Sequence, residues 1–261
     1  MNIYIMTDLE GISGVYRSDQ VSEGIRYEEA RHYMTWDINA CVEGCKKAGA
    51  KKIFVSDVHA SGGNILWHEI SPLVDELFAG GKGQMQRMPR IEECDAVILL
   101  GYHAMAGTAD AVLEHTWSSV AWQNMWINGK LSGEIALDAA IAGEYNKPVI
   151  MVSGDDYACK EARDFIPGVA TAEVKKGLSV AGANLMGKNA AHELIRTRAV
   201  QAVQNASKIR PMLTQKPVNI RVELVERRPM PSTHAKPYMK IIDGRTYEVM
   251  ADSVEEGLFR L

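Results

Sequence analysis

The segment Thr7-Asp8-Leu9-Glu10-Gly11 places two carboxylates directly after an apolar run at residues 3–6. Residues two apart in an extended segment point to the same side, so Asp8 and Glu10 should converge. The carboxyl ends of buried strands are where α/β folds bind their ligands. Two solvated acids that open a loop would give the same local pattern, so this pair alone does not define a site.

Two further apolar runs end in the same way, with histidines among the polar residues that follow. The run at 52–55 leads to Asp57 and His59, which again share a face, and a carboxylate beside a ligating histidine is a common arrangement. The run at 96–100 leads to His103. If the three runs are neighbouring strands, their polar ends meet in one crevice. Three such coincidences together favour a functional site.

Two residues from the middle of the chain extend the candidate set. His115 follows twelve residues after His103, and a buried structural histidine remains an alternative. Glu134 follows a predicted hairpin at the start of a predicted helix, where an acid is also stabilised by the helix dipole.

Carboxylates and neutral imidazoles without thiolates are ligands that suit zinc, and also manganese or iron(II). One catalytic zinc ordinarily takes three protein ligands, so five candidate ligands exceed the need of a single ion. One carboxylate that bridges two metals resolves the excess and leaves a position for water on each metal. We therefore predict a dinuclear centre.

The elements that must position these groups alternate along the chain. Short continuous apolar runs are typical of strands buried on both faces, and longer amphipathic stretches between them are typical of helices. The alternation predicts an α/β fold with a mainly parallel sheet flanked by helices. The predicted strands are 3–6, 52–55, 96–100 and 149–152, and the predicted helices are 28–48, 135–145, 156–165 and 188–207.

The Asn128-Gly129 pair between two extended segments predicts a β-hairpin, since both turn positions require positive φ. Beyond Pro211 and Pro217 the chain alternates apolar and polar residues, as a small β-rich unit would. We therefore predict an α/β metal-binding catalytic domain at 1–210, with the hairpin as an insertion, and a β-rich C-terminal appendage at 211–261.

Composition narrows the class of protein. The net charge is −4 over 261 residues, and the basic residues are dispersed, so we expect neither nucleic acid nor an anionic membrane as partner. No apolar run approaches a membrane span, and the first residues do not form a signal peptide. Four cysteines at irregular spacing predict neither a disulfide framework nor a Cys-x-x-Cys zinc site. These features predict a soluble cytoplasmic protein.

Three other features are interpreted as structural. Asp155-Asp156 follows a strand and precedes a helix, where an aspartate serves as an N-cap. The tryptophans around Trp117 are interpreted as hairpin packing. The glycine-rich segment 80–83 lacks the spacing and the Ser or Thr of a phosphate-binding loop.

Through about its first two thirds the sequence resembles the DppA-type zinc D-aminopeptidases, a family with a dinuclear site and a ring-stacked decamer. No single segment is specific, but the segments occur in the order of the family. They are Asp8-Leu9-Glu10-Gly11-Ile12-Ser13-Gly14, Asp57-Val58-His59, Gly101-Tyr102-His103-Ala104, Gly133-Glu134 and Gly154-Asp155-Asp156.

The resemblance implies a role for each candidate. Asp8 would bridge two zinc ions per chain. Glu10 and His59 would complete one zinc site, and His103 and Glu134 would complete the other. His115 matches the catalytic histidine of the family. The C-terminal third is less similar, and we expect a shortened final helix before Leu261.

The predicted function is hydrolysis of short peptides with an N-terminal D-residue by a metal-bridging hydroxide, in a homo-oligomer that the resemblance makes a decamer. A dinuclear amidohydrolase or phosphoesterase is one alternative, and a non-catalytic metal- or peptide-binding protein is another. No Arg or Lys adjoins the candidate ligands along the chain, which counts against a phosphoesterase. His115 separates enzyme from binder, because binding alone needs no proton-transfer group.

Overall fold

A computed structural model describes residues 1–81, 86–227, 230–234 and 236–261. Seven strands form the larger sheet, sheet A, in which five of the six pairings are parallel and the last is antiparallel. Their spatial order is β3 (Glu76–Phe78), β2 (Ile53–Asp57), β1 (Ile3–Thr7), β4 (Ala96–Leu100), β7 (Val149–Asp155), β8 (Ala170–Ser179) and β9 (Gly182–Leu185). The predicted α/β fold with a mainly parallel sheet is confirmed.

Helices cover both faces of sheet A. In β1, Ile3 and Ile5 join the apolar cluster on one face and Tyr4 and Met6 join the cluster on the other, which follows from the two-residue period of a strand. Every residue of β1 is buried, as the continuous apolar run predicts. The helices are α1 (Ile25–Lys47), α2 (Glu134–Glu144), α3 (Asp156–Phe165), α4 (Lys188–Asn205) and α5 (Val254–Arg260).

Helices α1 and α4 pack on the first face, and α2 and α3 pack on the second face together with the smaller sheet, sheet B. Within the described ranges, no helix is long and apolar enough to cross a membrane. Asp155 ends β7, and its side chain accepts a hydrogen bond from the backbone N–H of Ala158 at 2.7 Å. The predicted N-cap of α3 is thereby confirmed.

Sheet B is antiparallel and joins the predicted hairpin to the C-terminal strands. Asn128 and Gly129 have φ values of 49° and 80°, which is the conformation the turn prediction required. Sheet B therefore takes strands from both sides of residue 210, and the predicted division into domains stays a prediction. The order of its strands is β11 (Met239–Ile241), β12 (Thr246–Ala251), β10 (Val218–Leu224), β5 (Trp122–Ile127) and β6 (Lys130–Leu131).

Three strands were not predicted from the sequence, whereas α5, with seven residues, lies just before Leu261, where a final helix is expected. Strand β3 has only three residues, too few for a clear periodicity. Strands β8 and β9 lie at one side of sheet A and carry charged or polar residues where a buried strand would be apolar. Lys82 and Gly83, part of the glycine-rich segment discussed above, lie outside the described residues.

Candidate metal centre and its cavity

The three strands that carry the first candidate ligands are neighbours in sheet A, in the order β2, β1, β4. Their parallel pairing brings the residues after each carboxyl end to one edge of the sheet. Asp8 follows β1, His59 follows β2 and His103 follows β4. The predicted convergence of these segments is therefore observed.

Two glycines allow the loops after β1 and β4 to touch. The backbone N–H of Gly11 donates to the carbonyl of Gly101 at 2.7 Å, and a Cβ on Gly11 would lie 2.0 Å from the carbonyl oxygen of Tyr102. Gly101 has a φ of +73°, and a Cβ there would lie 2.5 Å from the carbonyl oxygen of Asp8. Only glycine permits this approach, which fixes the backbone of the two loops relative to each other.

The first half of the centre consists of Asp8, Glu10 and His59. The Nδ1 atom of His59 lies 3.3 Å from Oδ1 of Asp8 and 3.1 Å from Oε2 of Glu10. The other ring nitrogen, Nε2, lies 2.8 Å from the carbonyl oxygen of Val21. Both carboxylates are buried, so neither is a solvated loop residue.

The second half consists of His103, Glu134 and the same Asp8. The Nε2 atom of His103 lies 3.4 Å from Oδ2 of Asp8 and 3.3 Å from Oε1 of Glu134, which begins α2. Its Nδ1 atom lies 3.0 Å from the carbonyl oxygen of Ala104. The two carboxylate oxygens of Asp8 therefore face two different histidines, one in each half.

His115 lies against the second half. Its ring stacks on the ring of His103, with centroids 3.9 Å apart and an interplanar angle of 14°. Its Nε2 atom lies 3.8 Å from Oε1 of Glu134, and its Nδ1 atom lies 2.9 Å from the carbonyl oxygen of Leu113. The loop after His103 folds back to the strand ends and brings His115 to the centre.

All three histidines share one hydrogen-bonding pattern. A backbone carbonyl only accepts, so the ring nitrogen beside it carries the proton in each case. The opposite nitrogen of the neutral ring then presents a lone pair to a carboxylate, which also only accepts. A cation between lone pair and carboxylate satisfies both groups, and a backbone-bonded histidine is the usual partner of a metal. The residues present therefore fit a metal ion.

The fit to a metal ion is clearest at His103, because its Nε2 atom is buried and has no hydrogen-bond partner among the residues that the structure describes. Two groups of residues each bring one potential ligand atom per residue within 4.8 Å of one another. They are His103, His115 and Glu134, and Asp8, Glu10 and His103.

The electrostatics of the cluster also favour positive charge at these nitrogens. Burial lowers the pKa of His59, but the carboxylates of Glu10 and Asp8 more than offset it and raise that pKa to about 12. Burial opposes protonation of His103 as well, and Glu134 and Asp8 still raise its pKa. Protons and metal ions compete for the same lone pairs, so both observations indicate affinity for a cation.

Asp57 supports the loop that carries His59. Its carboxylate accepts hydrogen bonds from the backbone and side chain of Asn64 at 2.6 and 2.8 Å, and Asn64 in turn donates to the carbonyl oxygen of His59. The sequence suggested a carboxylate beside a ligating histidine, but the proton of the His59 ring points to the Val21 carbonyl instead. Asp57 therefore orders the loop.

Two buried charged residues that no motif marks also support the centre. The ammonium group of Lys175, in β8, donates to the carbonyl oxygens of Glu10, Ile12 and Val15 at 2.5, 3.0 and 2.5 Å. Burial lowers the pKa of Lys175 to about 8. Glu161, in α3, has its pKa raised to about 7 by burial, although a hydrogen bond from a backbone N–H opposes the shift.

The candidate centre faces a cavity of about 660 Å³, a volume typical of small-molecule sites. Its wall includes the carboxylates of Asp8, Glu10 and Glu134, and also Arg87 and Trp117. No Arg or Lys adjoins the ligands along the chain, but Arg87 lies in the wall of the same cavity. Arg87 comes from a distant segment of the chain, which sequence adjacency does not detect.

Trp117 has two roles. Its ring stacks on Trp122 of the hairpin, with centroids 6.1 Å apart, as the interpretation of hairpin packing predicts. Its backbone N–H also donates to Oε1 of Glu134 at 2.8 Å, and the residue lines the cavity. The hairpin interpretation is therefore incomplete.

Comparison with known proteins identifies the class of protein. A family model described as D-aminopeptidase, peptidase family M55, matches residues 1–260. The chain belongs to this D-aminopeptidase family, which confirms the resemblance found in the sequence.

A curated sequence and a solved structure show the similarity in more detail. A curated D-aminopeptidase of Bacillus subtilis (strain 168) is 33% identical over 217 residues, which are 81% of this chain and 77% of that protein. A solved structure, the Zn-dependent D-aminopeptidase DppA from Bacillus subtilis, described as a self-compartmentalizing protease, matches with a TM-score of 0.94 at 29% identity. The match covers 100% of this chain and 95% of that one.

Proposed function

We propose that this protein is a zinc-dependent aminopeptidase that releases an N-terminal D-residue from short peptides. One observation carries the proposal: Oδ1 of Asp8 faces His59, and Oδ2 of the same carboxylate faces His103. A carboxylate placed in this way can bridge two metal ions. Membership of the D-aminopeptidase family and the similarity to a Zn-dependent relative support the choice of metal and reaction.

Each half of the centre would hold one zinc ion. Glu10 and His59 would complete the first site, and His103 and Glu134 would complete the second, with Asp8 shared. Zinc, when bound, supplies Lewis-acid activation of water and of the scissile carbonyl. The carboxylates and imidazoles hold that charge in a largely buried setting, where its effect is screened less than in water.

His115 would move the proton of the reaction. Its Nδ1–H donates to the Leu113 carbonyl, which leaves the lone pair of Nε2 free to accept a proton near Glu134 and deliver it to the leaving amine. General acid–base catalysis of this kind contributes typically 10²–10⁴-fold in rate. This role favours an enzyme over a non-catalytic binding protein.

The proposed preference for a D-residue is supported by family membership alone and not by any geometry of the site. The test is hydrolysis of D-Ala-D-Ala and of L-Ala-L-Ala by the zinc-loaded protein under identical conditions. We expect a clear preference for the D-peptide. Equal or faster turnover of the L-peptide would refute the D-specificity and leave the hydrolase proposal standing.

The phosphoesterase alternative is tested in the same preparation with p-nitrophenyl phosphate. Arg87 supplies a cationic group in the cavity wall, so a missing cation no longer argues against phosphate. Family membership favours peptides, and we expect no phosphatase activity above the background of the zinc-free protein.

We also propose a closed homo-oligomer, with a decamer as the specific expectation. The similarity to a self-compartmentalizing protease supports it, and so do large apolar side chains on the surface of the single chain. Trp67 is 77% exposed and Val120 is 81% exposed. Light scattering should give ten times the chain mass, whereas a monomer or dimer would contradict the proposal. A cytoplasmic location stays a prediction.

A further inference from the structure

Arg87 occupies the wall of the cavity with two of its three guanidinium nitrogens already engaged. Nε and Nη2 donate to Oδ1 and Oδ2 of Asp138 at 2.9 and 3.0 Å. The guanidinium carbon lies 4.9 Å from the centroid of the Trp117 ring, which holds the group from a second side. Nη1 has no hydrogen-bond partner anywhere in the described part of the chain.

The residues around Arg87 make its position rigid. Asp138 is fully buried and also accepts a hydrogen bond from the hydroxyl of Tyr102 at 2.6 Å. The backbone N–H of Arg87 donates to Oε1 of Glu255 at 2.6 Å, and the hydroxyl of Tyr145 donates to the other oxygen of that carboxylate. The guanidinium is therefore held before any ligand enters, which reduces the entropy lost on binding.

Helix α2 carries both Glu134 of the candidate centre and Asp138, the partner of Arg87. Glu134 and Asp138 are four residues apart in this helix, so they lie on the same face about 6 Å apart along its axis. Asp138, the partner of the Arg87 guanidinium, is therefore about one helical turn along α2 from Glu134. Trp117 contacts both Arg87 and Glu134. Its ring faces the Arg87 guanidinium, and its backbone N–H donates to Oε1 of Glu134.

A dipeptide carries its own carboxylate close to its scissile carbonyl. The carboxylate of the second residue lies about one residue length, roughly 3.6 Å, beyond the scissile carbonyl. It must therefore be received inside the same cavity, whose wall includes the three acids Asp8, Glu10 and Glu134. Arg87 is the only arginine or lysine that lines this cavity among the described residues.

We infer that Arg87 binds the C-terminal carboxylate of a dipeptide substrate and so selects dipeptides over their amides and over longer peptides. The inference rests on the proposed function and specifies its substrate class. Nη1 would donate a charge-assisted hydrogen bond, the strong kind, to the carboxylate. A longer peptide would place an uncharged amide at this position and its carboxylate farther out.

The test compares D-Ala-D-Ala with D-Ala-D-Ala amide, which differ only in the terminal charge. For the zinc-loaded wild-type protein we expect kcat/KM to be about 10- to 100-fold higher for the free acid, the factor that a hydrogen bond to a charged group provides. Arg87→Gln should reduce this ratio to about one, chiefly by raising KM for the acid. Arg87→Lys should retain part of the preference.

Arg90→Gln is the matched control. Arg90 also pairs with carboxylates, those of Glu76 and Glu93, and its guanidinium also lies over an aromatic ring, that of Phe54, but it does not line the cavity. This variant should keep the wild-type ratio.

The possible outcomes separate the two proposals. A ratio near one in the wild-type protein, measured without any substitution, would overturn the role of Arg87 and leave the aminopeptidase standing. An equal loss on both peptides in Arg87→Gln would show a purely structural residue and would also overturn it. If the zinc-loaded wild-type protein hydrolyses neither peptide, the proposed function itself fails.

Discussion

The two halves of the candidate centre are supported in different ways. The half with Glu10 and His59, which we call the loop half, has its ligands on loops. The buried ammonium group of Lys175 donates hydrogen bonds to the backbone of the Glu10 loop. The half with His103 and Glu134, which we call the helix half, takes Glu134 from the first turn of α2, and the ring of His115 stacks on that of His103. Asp8 belongs to both.

Because of this difference, substitutions in the two halves should affect different properties of the protein. The loop half relies on a side chain from β8, at least 160 residues away along the chain, to hold three backbone carbonyls. The helix half contains His115, the histidine that we propose moves the proton. Damage to the loop half should therefore reduce metal affinity, whereas removal of His115 should reduce turnover alone.

The largest effect on turnover is expected for His115→Ala. Loss of the proton-transfer group should lower kcat by about 10²–10⁴-fold, which corresponds to roughly 3–5 kcal/mol in the barrier. Zinc content, measured by elemental analysis, should stay at the wild-type level. His68→Ala is the control, because that ring is largely exposed and does not line the cavity. Loss of zinc in His115→Ala would make it a ligand, and an unchanged kcat would make it structural.

A smaller effect, confined to the loop half, is expected for Lys175→Met. Three carbonyl oxygens would lose their donor, so the Glu10 loop should loosen. Changes to groups that orient ligands cost about 10- to 100-fold in metal affinity, and we expect a loss of this size for one of the two zinc ions.

Titration with a zinc chelator measures the affinity of each of the two zinc ions in this experiment. Lys176→Met provides the control, since the neighbouring side chain is exposed. Equal weakening of both ions would contradict the independence of the two halves.

The smallest effect concerns the support of the helix half by Glu161. Its Oε2 accepts the backbone N–H of Met105, two residues after His103, at 2.8 Å. Glu161→Gln keeps an acceptor and should change stability little, whereas Glu161→Ala leaves the partly buried N–H of Met105 without this partner and should cost about 1–3 kcal/mol. Thermal unfolding of the two variants measures the difference. Equal destabilisation by both would show that the charge of Glu161, and not its acceptor, is required.

The sequence predicted the parts of this site whose signal is local. Asp8, His59 and His103 each follow a buried strand within a few residues, so periodicity and residue type were sufficient to find them. The family resemblance adds Glu134 to this set, and the structure places its carboxylate beside His103. The central strands were predicted for the same reason, because an apolar run of about five residues carries its own pattern.

Residues whose partners are remote in sequence escaped prediction. Lys175 looks like any lysine of a polar strand, because its role depends on backbone carbonyls of another segment. Arg87 is brought to the cavity by a buried aspartate 51 residues later. Strand β8 was missed partly because Lys175 itself interrupts the apolar pattern that marks a buried strand.

The central claim is that Asp8 is shared by two zinc ions, and metal stoichiometry tests it most directly. Elemental analysis of the zinc-reconstituted protein should give two zinc ions per chain for the wild type, one for His59→Ala and close to none for Asp8→Ala. Asp19→Ala, at an exposed acid outside the centre, should retain two. A wild-type protein that binds no zinc after reconstitution, or an Asp8→Ala variant that keeps both ions, would contradict the account.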